Sequence, residues 1–506
     1  MLNDSNNALE QLVRQFSQPL SFFRELIQNS LDAGSTQIEV TVDKDPQTHQ
    51  IFLRVHDNGQ GMNEDVIDNR LTRLFSSTKE DDFTKIGKFG VGFVSIFAVH
   101  PELVVLDTGC EGENWRVIFK ANRSFEKRRL RQPIEGTSVT LYLPHDHDKD
   151  LNYYLEGGLN TVRFWCKFAE TEILFNGERI NQEFGFQETT YQYRYATAGT
   201  EAVLLPDPSP EGFQGYYNRG LTLLEGPGSP IPHLRFRMRS RYLEHTLSRD
   251  NILQDENYRK AMEHLHRAAF EEMPLHLFEQ IQRAPSPQLW RMGANCLKLA
   301  GVKDRVGRVE CLPTSRGLLS LNQLTSTIHY REKEDELWEA VGELDETILV
   351  KGSTASGLVY FLEAAGCQLR PLEESYILYS KVTPDEDDER VLRLLAERAS
   401  HLPSPFLVDI KMSPPGWLGS RLGLYLNPSS KARSRSRLDR QKGDFPAIVA
   451  NSLLFKKVRE LAKVDRELAL SVLVRKLHLD LGLGKKKEKQ ILTDSLLRLK
   501  SQEAKV

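Results

Sequence analysis

The stretch RELIQNSLDAGSTQIEV (24–40) decides how the first part of this chain is read. Its first half has helical period: Phe22, Phe23, Leu26, Ile27 and Leu31 recur on an apolar side, with Ser30 expected to point that way too. Glu25, Asn29 and Asp32 fall at i, i+4 and i+7 on the opposite, polar face. Its second half alternates, Ile38, Val40 and Val42 being separated by polar residues, which is the period of a half-buried strand. Upstream, Leu9, Leu12, Val13 and Phe16 extend the helical pattern back to residue 8, with a break near Pro19. Downstream, Ile51, Leu53 and Val55 alternate in turn, and DKDPQTHQ (43–50) between the two runs is turn chemistry. Strands are expected near 103–107, 115–120 and 137–143. A helix feeding an antiparallel sheet is α+β, and not the βαβ unit of a dinucleotide-binding fold.

Two glycine-rich segments follow the helix. DNGQGM (57–62) comes directly after a strand, where the Asp57 carboxylate can accept a hydrogen bond from an exocyclic amine and Gly59 and Gly61 let the backbone approach a planar ring. GKFGVGF (87–93) opens a helix, so its free N–H groups and the positive dipole end can meet phosphate oxygens. Gly136-Thr137 then start the strand TSVTLYL (137–143).

In order and spacing, these motifs over residues 8–143 resemble the GHKL ATPase superfamily of gyrase-type topoisomerases, heat shock protein 90 chaperones, histidine kinases and MutL. The resemblance implies a Bergerat-type ATPase, an antiparallel sheet with helices on one face. It implies Glu25 as general base for water, Asn29 as the Mg²⁺ ligand, and Asp32 and Ala33 as nucleotide contacts from the same helix. Asp57, with Gly59, Gly61 and Met62, would hold adenine, with Thr137 as a further contact. Gly87, Lys88, Phe89, Gly90, Val91, Gly92 and Phe93 would cradle the phosphates, and Lys79 in SSTK would reach the γ-phosphate. The implied cofactors are ATP and Mg²⁺.

Within the superfamily, a histidine kinase would carry a phospho-acceptor helix before this point, and only residues 1–7 precede the first helical pattern. NSLDAGSTQIEV looks like MutL or MORC, whereas IGKFGVGFVSIFAV (86–99) is very close to the heat shock protein 90 form. LSRDNILQD (247–255) resembles the chaperone middle-domain motif whose arginine reaches the γ-phosphate, which assigns that catalytic role to Arg249. A guanidinium from a second domain can stabilise developing phosphate charge. LYLNP (424–428), FPAIV (445–449) and a helix ending in LHLDLGLG (477–484) resemble the elements through which those chaperones dimerise, with Leu468, Val472 and Leu479 on the contact face. The segment between the two glycine-rich motifs is shorter than is usual in that family, and no EEVD-type tail is present.

The rest of the chain sets bounds. Its 506 residues suggest three or four domains at roughly 100 to 200 residues each. We expect an ATP-binding domain over 1–145 and an α/β middle domain over 146–284, strand-rich at 216–246 and helical around 255–283. PDPSPEG (206–212) is a loop. A second α+β segment over 285–410 carries no legible chemistry, and a helical, dimerisation-like region over 411–506 shows helical patterns at about 445–461 and 465–482. Five cysteines, none in a C-x-x-C pair, suggest neither zinc nor a disulfide framework. HDHD (145–148) cannot readily converge on one ion and is read as a polar loop. No secretory leader and no run near the roughly 18 apolar residues of a membrane span are visible, so a cytoplasmic protein without a membrane partner is expected.

With 67 Lys+Arg against 70 Asp+Glu, the net charge of −3 argues against a globally basic nucleic-acid binder. The first functional reading is an ATP-driven chaperone of the heat shock protein 90 type, a homodimeric clamp on protein clients. The second is a MutL- or MORC-like clamp on DNA, carried by the basic stretches KANRSFEKRRLR (120–131), KARSRSRLDRQK (431–442) and KKKEK (485–489), which lack interleaved aromatics for base stacking. An ATPase effector of a bacterial defence or signalling system would use the same module.

Overall fold

The computed structural model describes residues 18–72, 92–145, 149–189, 191–197, 199–244, 246, 251–325, 327–343, 348–353, 356–398, 404–412, 421–426, 437–440, 445–482, 489–490, 492–494 and 497–498. The chain divides into two compact units, Met1–Ala269 and Phe270–Val506.

In the first unit, Pro19–Ser21 make one 3-10 turn and α1 (Phe22–Asp32) follows. The strands are β1 (Gln37–Lys44), β2 (Ile51–Asp57), β3 (Leu103–Cys110), β4 (Glu113–Lys120), β5 (Phe125–Arg129) and β6 (Thr137–Tyr142). After α2 (Leu151–Cys166) come β7 (Glu172–Phe175) and β8 (Glu178–Arg179). All eight strands form one sheet in the order β5-β4-β3-β6-β2-β1-β7-β8. Every pairing is antiparallel except β1 with β7, so the sheet reaches past residue 145. The apolar stripe of α1 explains its position: Phe22, Phe23 and Ile27 are fully buried in one core with Ile38, Val40, Leu53, Val139 and, from α2, Val162 and Cys166. Burial of each such large side chain stabilises by about 1.5–3 kcal/mol relative to exposure. Arg24, also buried, lies 4.2 Å from the centroid of the Trp165 ring and so ties α1 to α2 through a cation–π contact.

A second sheet in this unit has the order β12-β11-β13-β10-β9, from β9 (Tyr193–Thr197), β10 (Thr200–Pro206), β11 (Phe213–Asn218), β12 (Leu221–Pro227) and β13 (Leu234–Ser240). Arg235, Arg237 and Arg239 alternate along β13. Arg237 is stacked on Phe168, Phe186 and Phe213, and pairs with the largely buried Glu225 at 3.0 Å. The unit closes with α3 (Glu256–Arg267), capped by the Asp255 side chain accepting from Tyr258 N.

In the second unit, α4 (Met273–Arg283) and α5 (Pro287–Cys296) precede the hairpin β14 (Leu312–Thr314) and β15 (Gly317–Leu319). Next come β16 (Thr327–Arg331), α6 (Glu336–Gly342), β17 (Leu349–Lys351), α7 (Gly357–Ala364) and β18 (Gln368–Pro371), whose strands form a parallel three-stranded sheet in the order β17-β16-β18. The last sheet, β21-β23-β20-β19-β22, combines β19 (Tyr376–Lys381), β20 (Phe406–Met412), β21 (Gly423–Leu426), β22 (Arg437–Arg440) and β23 (Phe445–Val449). It packs with α8 (Glu386–Arg398), α9 (Leu453–Val464) and α10 (Arg466–Leu481).

The α+β multidomain reading therefore holds, with one refinement and one shift. Residues 125–129, inside the first basic stretch, are an edge strand. The helical pattern expected from 445 begins only at Leu453, because the apolar run 445–449 pairs with β20 and β21 in the sheet.

Candidate functional site

The polar groups of the site are brought together by strand register. Asp57, the last residue of β2, stands opposite Thr137 of β6, and Thr137 stands opposite Thr108 of β3. Three polar side chains thus lie side by side across adjacent strands near one end of the sheet, beneath α1. Asp57 is 5% exposed, and its carboxylate is held from two sides. Oδ1 accepts from Gly59 N at 2.9 Å and lies 3.2 Å from Ser35 Oγ, while Oδ2 lies 2.8 Å from Ser30 Oγ. Each hydroxyl has one proton and a second acceptor nearby: Leu26 O is 3.0 Å from Ser30 Oγ, and Ser30 O is 2.7 Å from Ser35 Oγ. A ligand that donates to Asp57 can therefore be accommodated by turning a hydroxyl, without moving backbone.

The loop after β2 is fixed just as tightly. Asn58 Oδ1 accepts from Thr36 N and Gln37 N at 2.9 and 3.0 Å, and Gln60 N donates to Ala33 O at 3.1 Å. Met62 N donates to the fully buried Thr108 hydroxyl at 2.8 Å. Gly61 is required at its position: φ is +67°, and a Cβ there would lie 2.0 Å from Gly109 O.

These elements enclose a cavity of about 290 Å³. Leu26, Val55, Met62, Val66, Leu71, Phe93, Leu106 and Val139 supply apolar wall, and Asn29, Ser30, Asp32, Ala33, Asp57, Gln60, Gly61, Arg70 and Thr137 the remainder. Apolar faces with one buried acceptor at the end suit a flat heteroaromatic ring bearing an amine. Of the residues read from the sequence, Asn29, Asp32, Ala33, Asp57, Gly61, Met62, Phe93 and Thr137 come together in this wall. Glu25 is buried one helical turn before Asn29 and is not part of the wall, nor are Gly59 and Gly92. Lys79, Gly87, Lys88, Phe89, Gly90, Val91 and Arg249 lie outside the described residues. Of HDHD, only His145 lies within them.

Ser30 does face away from the polar side of α1, and its contact with Asp57, which was not read from the sequence, follows because that carboxylate sits under the buried side of the helix. Ser35, Thr108 and Arg70 were not read from the sequence. Thr108 had a signal, since it continues the inward alternation of Val104 and Leu106 and is a polar residue at a core position. Three of the thiols, those of Cys166, Cys296 and Cys311, are buried, and burial pushes Cys166 and Cys311 up to about 12 and raises Cys296, away from the reactive thiolate.

Half of the basic side chains in the first basic stretch are paired locally. Lys120 pairs with Glu126 at 2.6 Å, Lys127 with Glu64 and Asp68 at 2.8 Å, and Arg128 with Glu126 at 2.9 Å. In the second, only 437–440 are described, as the edge strand β22, and in the third only Lys489.

Residues 21–141 match the family described as histidine kinase-, DNA gyrase B-, and HSP90-like ATPase. The chain is 32% identical over 194 residues to the chaperone protein HtpG of Idiomarina loihiensis, which covers 33% of this chain and 30% of that protein. It is 29% identical over 192 residues to the chaperone protein HtpG of Fusobacterium nucleatum, covering 32% and 31%. With HtpG of Buchnera aphidicola subsp. Baizongia pistaciae it shares 35% over 159 residues, a quarter of each chain. The match thus spans about a third or less of the length of these relatives. The resemblance to the GHKL superfamily, and within it to the heat shock protein 90 family, is borne out over this part of the chain. Among the described residues no helix is long and apolar enough to cross a membrane.

Proposed function

We propose that this chain is an ATP-hydrolysing chaperone of the heat shock protein 90 type, cytoplasmic and acting as a homodimer on protein clients. The observation that carries the reading is the buried Asp57 carboxylate at the end of an apolar cavity, with its loop fixed by Asn58, Gly61 and Thr108. In this reading adenine donates its amine to Asp57 and stacks against Met62 and Leu106, and Thr137 adds a contact at the same end. Asn29 and, as the resemblance implies, residues 87–93 contact the phosphates. Asn29 offers an amide oxygen at the wall, the hard donor that suits Mg²⁺, and the ion when bound offsets phosphate charge. Glu25 orients water and accepts its proton. Lys79 and Arg249 meet the γ-phosphate.

Dimerisation runs through α10. Leu468 and Leu479 are 44% and 64% exposed, and with the partly buried Val472 they fall on one outward face of that helix. The domain limits of this reading are 1–145 for nucleotide binding, 146–284 for the arginine-bearing middle domain, 285–410 for the second α+β segment and 411–506 for dimerisation. The ion pairing of Lys120, Lys127 and Arg128 weighs against the DNA-clamp reading.

Calorimetry and a phosphate-release assay on the full chain test the assignment. Asp57→Asn should abolish ATP binding, whereas Glu25→Ala should bind ATP with near wild-type affinity and lose turnover. Equal hydrolysis by Glu25→Ala and wild type would remove Glu25 from its role. ATP-dependent suppression of client aggregation would support the chaperone output, and salt-sensitive DNA binding without such suppression would replace it with the clamp.

A further inference from the structure

The hairpin between β11 and β12 turns on two residues, Arg219 and Gly220, with φ of +46° and +83°. Positive φ at both central residues is the pattern of a type I′ turn, where Asn, Asp or Gly is the usual first residue. Arginine at that position is strained, and a strained residue held by its surroundings points to a use for its side chain. The surroundings do hold it. A Cβ on Gly220 would lie 1.9 Å from Phe168 O, so the turn is pressed against the backbone leading into β7. Leu221 is 1% exposed in the same core as α1, and Thr222 Oγ1 donates to Phe164 O at 2.8 Å. The second sheet is thus anchored to the first at this point, and Arg219 is the residue it presents there.

The Arg219 guanidinium donates through Nη1 to Asp32 Oδ1 at 3.2 Å. Asp32 ends α1 and lines the cavity. The side chains are 57% and 33% exposed, so the pair contributes little to stability. Its consequence is electrostatic. The cavity wall carries two carboxylates, Asp32 and Asp57, and Arg70 is the only basic side chain among its described residues. A triphosphate brings several negative charges to this rim. We infer that Arg219 is a positioning residue for the nucleotide: it holds and neutralises Asp32 from the second sheet, so that an anionic ligand is admitted to the cavity.

This inference rests on reading the cavity as an adenine-nucleotide site, and ligand charge separates the two. Displacement of a fluorescent ATP analogue from the full chain by ATP and by adenosine measures both. For Arg219→Gly, relief of positive φ should leave the melting temperature unchanged or raised, while ATP affinity falls by about threefold to tenfold at low salt and adenosine affinity stays the same. The ATP deficit should shrink at high salt, where charges are screened, and Arg219→Lys should restore most of it. ATP affinity within twofold of wild type in Arg219→Gly, or equal losses for ATP and adenosine, would overturn the role of Arg219. Failure of the wild-type chain to bind ATP, with adenosine or without, would overturn the nucleotide reading and this inference together.

Discussion

Asp57 is legible in the sequence as an acid after a strand and before two glycines, but the groups that orient it are not. Ser30 and Ser35 are ordinary helix and turn residues until the fold sets them 2.8 and 3.2 Å from its two oxygens. Thr108 is remote in sequence, yet it takes the N–H of Met62 and so fixes the loop. Replacing it with the isosteric Val leaves that partly buried N–H without its acceptor, at a cost of about 1–2 kcal/mol. Thr108→Val should therefore lower the urea midpoint and weaken ATP binding by roughly tenfold or more, as titration calorimetry would record. Unchanged affinity would mean that the loop is held by other contacts.

At the scale of elements, α1 and the antiparallel strands follow from periodicity, because a stripe every 3.6 residues and an alternation every two have one buried arrangement each. The parallel addition of β7 to β1 does not follow, since nothing local in EILF (172–175) says which edge it joins. Asn176 makes that join. Its side chain accepts from Val42 N at 2.8 Å and donates to Val42 O at 3.1 Å, and its φ of +48° suits Asn better than most residues. Asn176→Ala loses both bonds and adds strain, which should destabilise the first unit by about 2 kcal/mol in urea unfolding. No change in midpoint would show that the hairpin β7–β8 contributes little to the sheet.

At the scale of the whole molecule, the exposed side of α10 is a feature of the second unit that bears on assembly. A helix whose Leu479 is 64% exposed, above a core of Leu470, Leu473, Val474 and Leu477, has apolar residues on both sides. In the proposed dimer the outer side is covered by a second copy. Leu468→Glu with Leu479→Glu should convert a dimer to a monomer in gel filtration with light scattering, leaving the melting temperature of the first unit in place. A wild-type chain that runs as a monomer would remove the dimer from the reading.

The sequence by itself determined the class of fold, the order of the motifs and about half of the cavity wall, because those depend on short-range spacing: an acid one turn before an amide on a helix, an Asp before two glycines after a strand. Only the tertiary structure decided what lies across from them. Strand register set Thr108 and Thr137 beside Asp57, burial turned Ser30 toward it, and a tight turn in a second sheet brought Arg219 to Asp32 across 187 positions of chain. The physical reason is the same in each case. A contact between distant residues is fixed by how sheets pair and cores close, and no local period encodes it.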